Sequence, residues 1–135
     1  MNNAKFYKRI YGWLLDEALC MPFGVFCFWL IYHFDASFPL FFIVVISILF
    51  DYFFYVLINS VSMFAFKGKT LGMAIEGIKT VNMEGNRPSY RCCFLKCFLN
   101  GVIAIVLVNA VFMLLVHTER SLFDRLSQTM AINCR

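Results

Sequence analysis

The chain has 135 residues, 61% of them hydrophobic and 19% aromatic, with 15% charged and a formal net charge of +4. Mean hydropathy is +0.75. Soluble domains run near ~45–50% apolar and about 25% charged, so these values argue against a soluble globular enzyme and exclude intrinsic disorder. The length suits a single domain, residues 1–135.

The apolar excess falls in three blocks, residues 10–32, 38–66 and 97–116. Each reaches the roughly 20 residues needed to cross a hydrocarbon core of about 30 Å. The first block is not a cleaved signal peptide. Asp16-Glu17 interrupts what should be a purely apolar h-region, and no clear A-x-A site follows.

Along the first block a stripe of Arg9, Trp13, Asp16, Cys20, Gly24 and Cys27 follows helical spacing. Its small residues allow close approach of a second backbone. Glu17 is rotated roughly 100° from Asp16 and is expected to face elsewhere.

The link His33-Phe34-Asp35-Ala36-Ser37 holds no Lys or Arg. The twelve basic residues lie before the first block, between the second and third, and after the third. Positive residues stay inside. The N-terminus and the middle loop are therefore expected in the cytoplasm, with residues 33–37 outside and the chain in the plasma membrane. The charge itself calls for no nucleic-acid partner.

In the second block Ser47, Asp51, Tyr55, Asn59 and Ser62 share one helical face. This stripe is expected to meet that of the first helix. With the second crossing taken as residues 39–58, Asp16 and Asp51 come out at similar depth. Ionisable groups inside a membrane are functional candidates by default. Two neighbouring carboxylates would share a proton rather than both ionise, which suits a proton or cation site. Asp16 can equally pair with Arg9, Lys96 or a backbone group.

Beyond the second block, Lys67-Gly68-Lys69-Thr70-Leu71-Gly72 supplies turn-forming glycines. It lacks the spacing of a phosphate loop. Residues 77–82 alternate as a short strand, residues 84–88 form a turn, and Ser89 can cap a following helix.

The third block fits the charge rule poorly if it spans, because three arginines follow it. A re-entrant or kinked helix pair, broken at Asn100-Gly101 or Asn109, keeps the tail inside. Residues 129–133 offer a second strand, able to pair with the first only if loop and tail share one side. Cys20, Cys27, Cys92, Cys93, Cys97 and Cys134 form no C-x-x-C pair and read as small apolar residues without disulfides, with metal binding or juxtamembrane acylation as the alternative. The fold class is thus an all-α membrane protein. It has two transmembrane helices, a third hydrophobic segment that spans or re-enters, and a short two-stranded cytoplasmic β element.

Five segments recur in a recognisable order. They are Arg9 with Asp16, then Thr70-Leu71-Gly72, then Gly77-Ile78-Lys79-Thr80-Val81, then Gly85-Asn86-Arg87-Pro88, then Asp124-Arg125-Leu126-Ser127-Gln128-Thr129. On these the chain resembles the RDD family of small membrane proteins, from Phe6 to Asn133. The resemblance implies that the arginine and two aspartates of the family's name are Arg9, Asp16 and Asp124. Met73 stands where the family commonly has Lys, and Ser127-Gln128 where it commonly has Ala-Gly. Asp51 is outside the named pattern. The resemblance implies transport of an unidentified ligand and no more.

Arg9, Asp16, Asp51, Tyr55, Asn59 and Asp124 are therefore the candidate functional or structural polar residues. Asp124, flanked by Arg120 and Arg125, suits a salt-bridging or capping role in the tail. The expected function is a component of a transport system for protons, cations or a small solute. The alternative is an accessory or assembly subunit of a larger membrane complex. Two or three helices enclose no path, so the partners are the bilayer and either further copies or another membrane protein. An enzyme is not expected: His33 and His117 are far apart, and no nucleophile–base motif or metal-ligand spacing occurs. No cofactor is implied.

Overall fold

The computed structural model describes residues 4–34, 39–116 and 121–134. Two long helices dominate, α1 (Phe6–Phe34) and α2 (Leu40–Ala65). At ~1.5 Å per residue both exceed a hydrocarbon core of about 30 Å. Only 17% and 22% of their most apolar windows are buried. A core helix of a soluble protein would be mostly buried, so these faces are suited to lipid. Of the expected external turn at 33–37, His33 and Phe34 end α1, and residues 35–37 lie outside the described residues.

The helices run antiparallel along their polar stripes. Asn59 Nδ2 reaches Cys20 Sγ at 3.8 Å. Farther along, Gly24 lies against Asp51, where a Cβ on Gly24 would come within 2.8 Å of the aspartate Cβ. Cys20, Tyr55 and Val56 form the buried seam, with Trp13 and Tyr52 packed on it.

The third hydrophobic block is not one helix. It is split between α4 (Tyr90–Asn100), capped by the Ser89 hydroxyl, and α5 (Ile103–Val116). At 11 and 14 residues, each is shorter than the ~20 residues of a crossing. The break falls at Gly101, one of the two expected points. A Cβ there would press on the Tyr52 ring at 2.6 Å. Asn109 is not a break. It sits within α5, and its Oδ1 accepts from the Leu122 amide at 2.8 Å.

The remaining elements make a cap. They are α3 (Leu71–Ile75), β1 (Ile78–Asn82), α6 (Leu122–Leu126) and β2 (Thr129–Asn133). β1 and β2 pair antiparallel, from Ile78 opposite Asn133 to Asn82 opposite Thr129. The Ala4 amide donates to the Ala131 carbonyl at 2.9 Å. The N-terminal segment, the middle loop and the tail therefore meet at one end of the molecule. Both helices of the pair between loop and tail, α4 and α5, contact α6 of the cap.

Two connections need unusual backbone. α2 ends in a Schellman-type turn, with the Gly68 amide on the Met63 carbonyl at 2.7 Å. Gly68 also lies so close to Thr80 that any Cβ would overlap its carbonyl oxygen. Lys67 takes the left-handed position of this turn, at φ 53°, and Gly68 follows at φ 93°. After α6 the same conformation falls on Gln128, at φ 51°.

Candidate functional site

Three polar groupings lie on or beside α1. The first is in the cap. Asp124 is 1% exposed. One of its carboxylate oxygens accepts from the Arg9 guanidinium, and the other from Lys96 Nζ at 2.6 Å. Lys96, 4% exposed, also donates to Thr80 Oγ1 at 3.1 Å. Arg9 further reaches the carbonyls of Ala4 and Ala131. Burial alone would push the Asp124 carboxyl up, but Lys96 and Arg9 outweigh it and hold the group below the usual carboxylate range. Ser121 caps α6 and sets the orientation of Asp124.

The second grouping ties α1 to α3. Asp16 Oδ2 accepts from Thr70 Oγ1 at 2.5 Å, and Asp16 Oδ1 from the Gly72 amide at 2.8 Å. The carboxylate thereby satisfies an otherwise orphaned donor in the first turn of α3. Gly72 has no room for a side chain, because a Cβ would overlap the Gly12 carbonyl oxygen. The basic candidates for Asp16, Arg9 and Lys96, go to Asp124 instead.

The third grouping is in the α1–α2 seam. Glu17 Oε2 and Asp51 Oδ1 are buried and find no hydrogen-bond partner among the described residues. Glu17 lies within electrostatic range of both Asp51 and Asp16. Cys20 and Asn59 flank the seam.

The expected pairing of Asp16 with Asp51 is corrected by this arrangement. Asp51 is level with Gly24, two helical turns beyond Asp16, or about 12 Å along the axis. The depths differ because α2 continues to Ala65, well past the inner end assumed at residue 58. Glu17 does not face elsewhere. Its Oε2 is buried, and along α1 it lies between Asp16 and the level of Asp51.

Between the cap and the seam lies a cavity of about 70 Å³, lined in part by Arg9, Trp13, Asp16, Tyr55, Lys96 and Asn100. At ~10–15 Å³ per water position, it has room for a few waters. Tyr55 is 3% exposed, and its hydroxyl makes no hydrogen bond among the described residues. Trp13 Nε1 donates to the Asn100 carbonyl at 2.9 Å, holding α4 against α1.

The RDD family model matches residues 3–128. The chain belongs to the RDD family. Neither a curated protein nor a solved structure matches it. The arginine and aspartates that the resemblance assigns to the RDD name perform two separate tasks here. Arg9 and Asp124 join α1 to the tail, and Asp16 joins α1 to the Thr70-Leu71-Gly72 segment. The departures from the usual RDD pattern also have places. Gln128 occupies the left-handed position where the family commonly has Gly. Met73 packs in the cap, its sulfur 3.7 Å from Thr80 Oγ1.

Lys96 and Glu17 are the site residues that sequence reasoning undervalued. A lysine between Leu95 and Cys97 on an apolar helix was the available signal for the first. For Glu17 the signal was its place in a hydrophobic block, which outweighs its angle from the stripe.

Proposed function

We propose that this chain is a component of a transport system for protons, cations or another small solute in the plasma membrane. Its N-terminus, middle loop and tail face the cytoplasm, following the basic residues. The observation that carries the reading is the pair of unpartnered buried carboxyl oxygens, Glu17 Oε2 and Asp51 Oδ1, inside spanning helices. A charged group at a helix centre costs about 2.5–3.5 kcal/mol even on lenient scales. Asp16 and Asp124 are offset by hydrogen bonds and cations. Glu17 and Asp51 have no cation beside them among the described residues, and each keeps one buried oxygen without a partner.

The cavity at the cap opens the sequence of groups. Asp16 and Tyr55 line it, Glu17 follows in the seam, and Asp51 lies deepest. Such a series can pass a proton, or solvate a small cation with water. Two spanning helices and the α4–α5 pair enclose no continuous path. The working unit is therefore a homo-oligomer or a complex with another membrane protein. No catalytic group is needed.

The test is flux through purified wild-type chain in proteoliposomes under imposed proton and sodium gradients. Glu17→Gln and Asp51→Asn should fold and assemble normally and lose flux. No wild-type flux of any proton, monovalent cation or small solute rules out transport by the chain alone. If a foreign subunit then copurifies in fixed stoichiometry, the same seam is an assembly surface.

A further inference from the structure

We propose that Lys67, Lys69 and Lys79 form a binding site for the headgroup of an anionic phospholipid. The three lysines line one open groove of about 540 Å³, together with Ala65, Phe66 and Cys134. No acidic residue among the described residues lines it. None of the three makes an ion pair among the described residues. Three like charges are thus gathered with no acidic side chain among the described residues to offset them, an arrangement that favours an anion.

The backbone holds them together. The Thr80 amide donates to the Gly68 carbonyl at 2.7 Å. Lys67 and Lys69 flank Gly68, and Lys79 precedes Thr80, so this one bond brings the lysines to a common groove. The close approach excludes any Cβ at Gly68. Lys67 holds a left-handed conformation that L-residues disfavour.

The position selects a lipid over a free anion. Ala65 is the last residue of α2 and Phe66 its C-cap, with Phe66 66% exposed. The groove therefore sits where an apolar spanning helix gives way to the cap. A phosphate among the lysines places its acyl chains against the outer surface of α2. A soluble phosphate would gain the charges and nothing from that apolar rim.

The site is independent of the transport reading. It is tested by native mass spectrometry of the full chain in detergent, titrated with dioleoyl phosphatidylglycerol or dioleoyl phosphatidylcholine. The wild type should bind the anionic lipid at least roughly tenfold more tightly, from about fivefold per lysine. The triple variant Lys67→Gln, Lys69→Gln and Lys79→Gln should lose on the order of a hundredfold. A control losing three charges elsewhere, Lys5→Gln, Arg91→Gln and Arg125→Gln, should stay within about twofold, because a site is local and a diffuse field is not. If the triple variant fails to fold, Lys69→Gln and Lys79→Gln singly should each lose about fivefold. Equal loss in the control overturns the site. So does equal binding of the two lipids. Displacement by glycerol phosphate at the lipid's own concentration makes it a free-anion site and overturns the lipid assignment.

Discussion

Arg9 and Asp124 stand 115 residues apart in the chain and form an ion pair inside the cap. Lys96 completes it from α4, so one carboxylate gathers the first helix, the α4–α5 pair and the tail. A buried carboxylate with two cations is costly to assemble and far costlier to break. Asp124→Asn leaves Lys96 and Arg9 facing a neutral amide. The expected loss is about 3–5 kcal/mol, the range for breaking a buried pair. Thermal unfolding in detergent checks it, together with protease protection of the tail. Unchanged melting and protection would place Asp124 outside the structural core.

The same carboxylate gives the cap an acid limit. Its folded pKa lies below 3.8, its ordinary value. The stabilisation is therefore complete above about pH 4 and is lost as pH falls through the lower folded value. Amide exchange in β2 should stay protected from neutral pH to about pH 4 and rise below it. Asp124→Asn should remove this pH dependence while raising exchange throughout. A wild-type transition near neutral pH would contradict the ion pair as the controlling group.

Gly72 is fixed by contact rather than by backbone angle. Its amide donates to Asp16, and its missing Cβ is replaced by the Gly12 carbonyl. Gly72→Ala should separate α3 from α1 and strip Asp16 of its donor. Overpacking typically costs about 1–3 kcal/mol, and a backbone oxygen cannot rotate aside. Asp16→Asn should be milder, because the amide keeps an acceptor for the Gly72 N–H. Reversal of that order in melting temperature would show that charge, not space, governs this joint.

Much of this architecture was legible in the sequence because it follows period and charge. The stripes on α1 and α2, the break at Asn100-Gly101, the Ser89 cap and the two strands all appear where spacing puts them. Depth was not legible. Where α2 ends depends on the Schellman-type turn at Lys67-Gly68, and an error of two turns there brought Asp51 level with Asp16. Partner choice was also hidden. Asp16, Arg9 and Lys96 are all plausible mates by composition, and only the cap's folding sends both cations to Asp124. The angle of Glu17 from the stripe is no guide either, because its Oε2 is buried all the same.

Gln128 offers a gain in stability. It holds a left-handed conformation after α6, at φ 51°. That conformation costs an L-residue roughly 1–2 kcal/mol, and glycine returns part of the gain through its freer unfolded chain. Gln128→Gly should therefore stabilise the protein by about 0.5–1 kcal/mol. Gln128→Ala should not, because alanine keeps the Cβ. A rise in melting temperature for both variants would assign the effect to loss of the Gln side chain.

Glu17 and Asp51 should reverse the usual relation between a core substitution and stability. Each buries a carboxyl oxygen with no partner, inside a helix long and apolar enough to span a membrane. Glu17→Leu removes a polar group that the seam does not satisfy, so the variant should melt at a higher temperature than wild type. The gain should approach the ~2.5–3.5 kcal/mol charged-residue cost only if the group is ionised, and be smaller if it holds a proton. Asp51→Ser is the matching change, since Gly24 leaves no space for a larger side chain. The transport reading expects both variants to be as stable as wild type or more so, correctly assembled and without flux. The assembly reading expects them to dissociate from their partner with their own folding intact. A loss of monomer stability in both would mean that the two carboxyl groups hold the helices together, and would remove the observation on which transport rests.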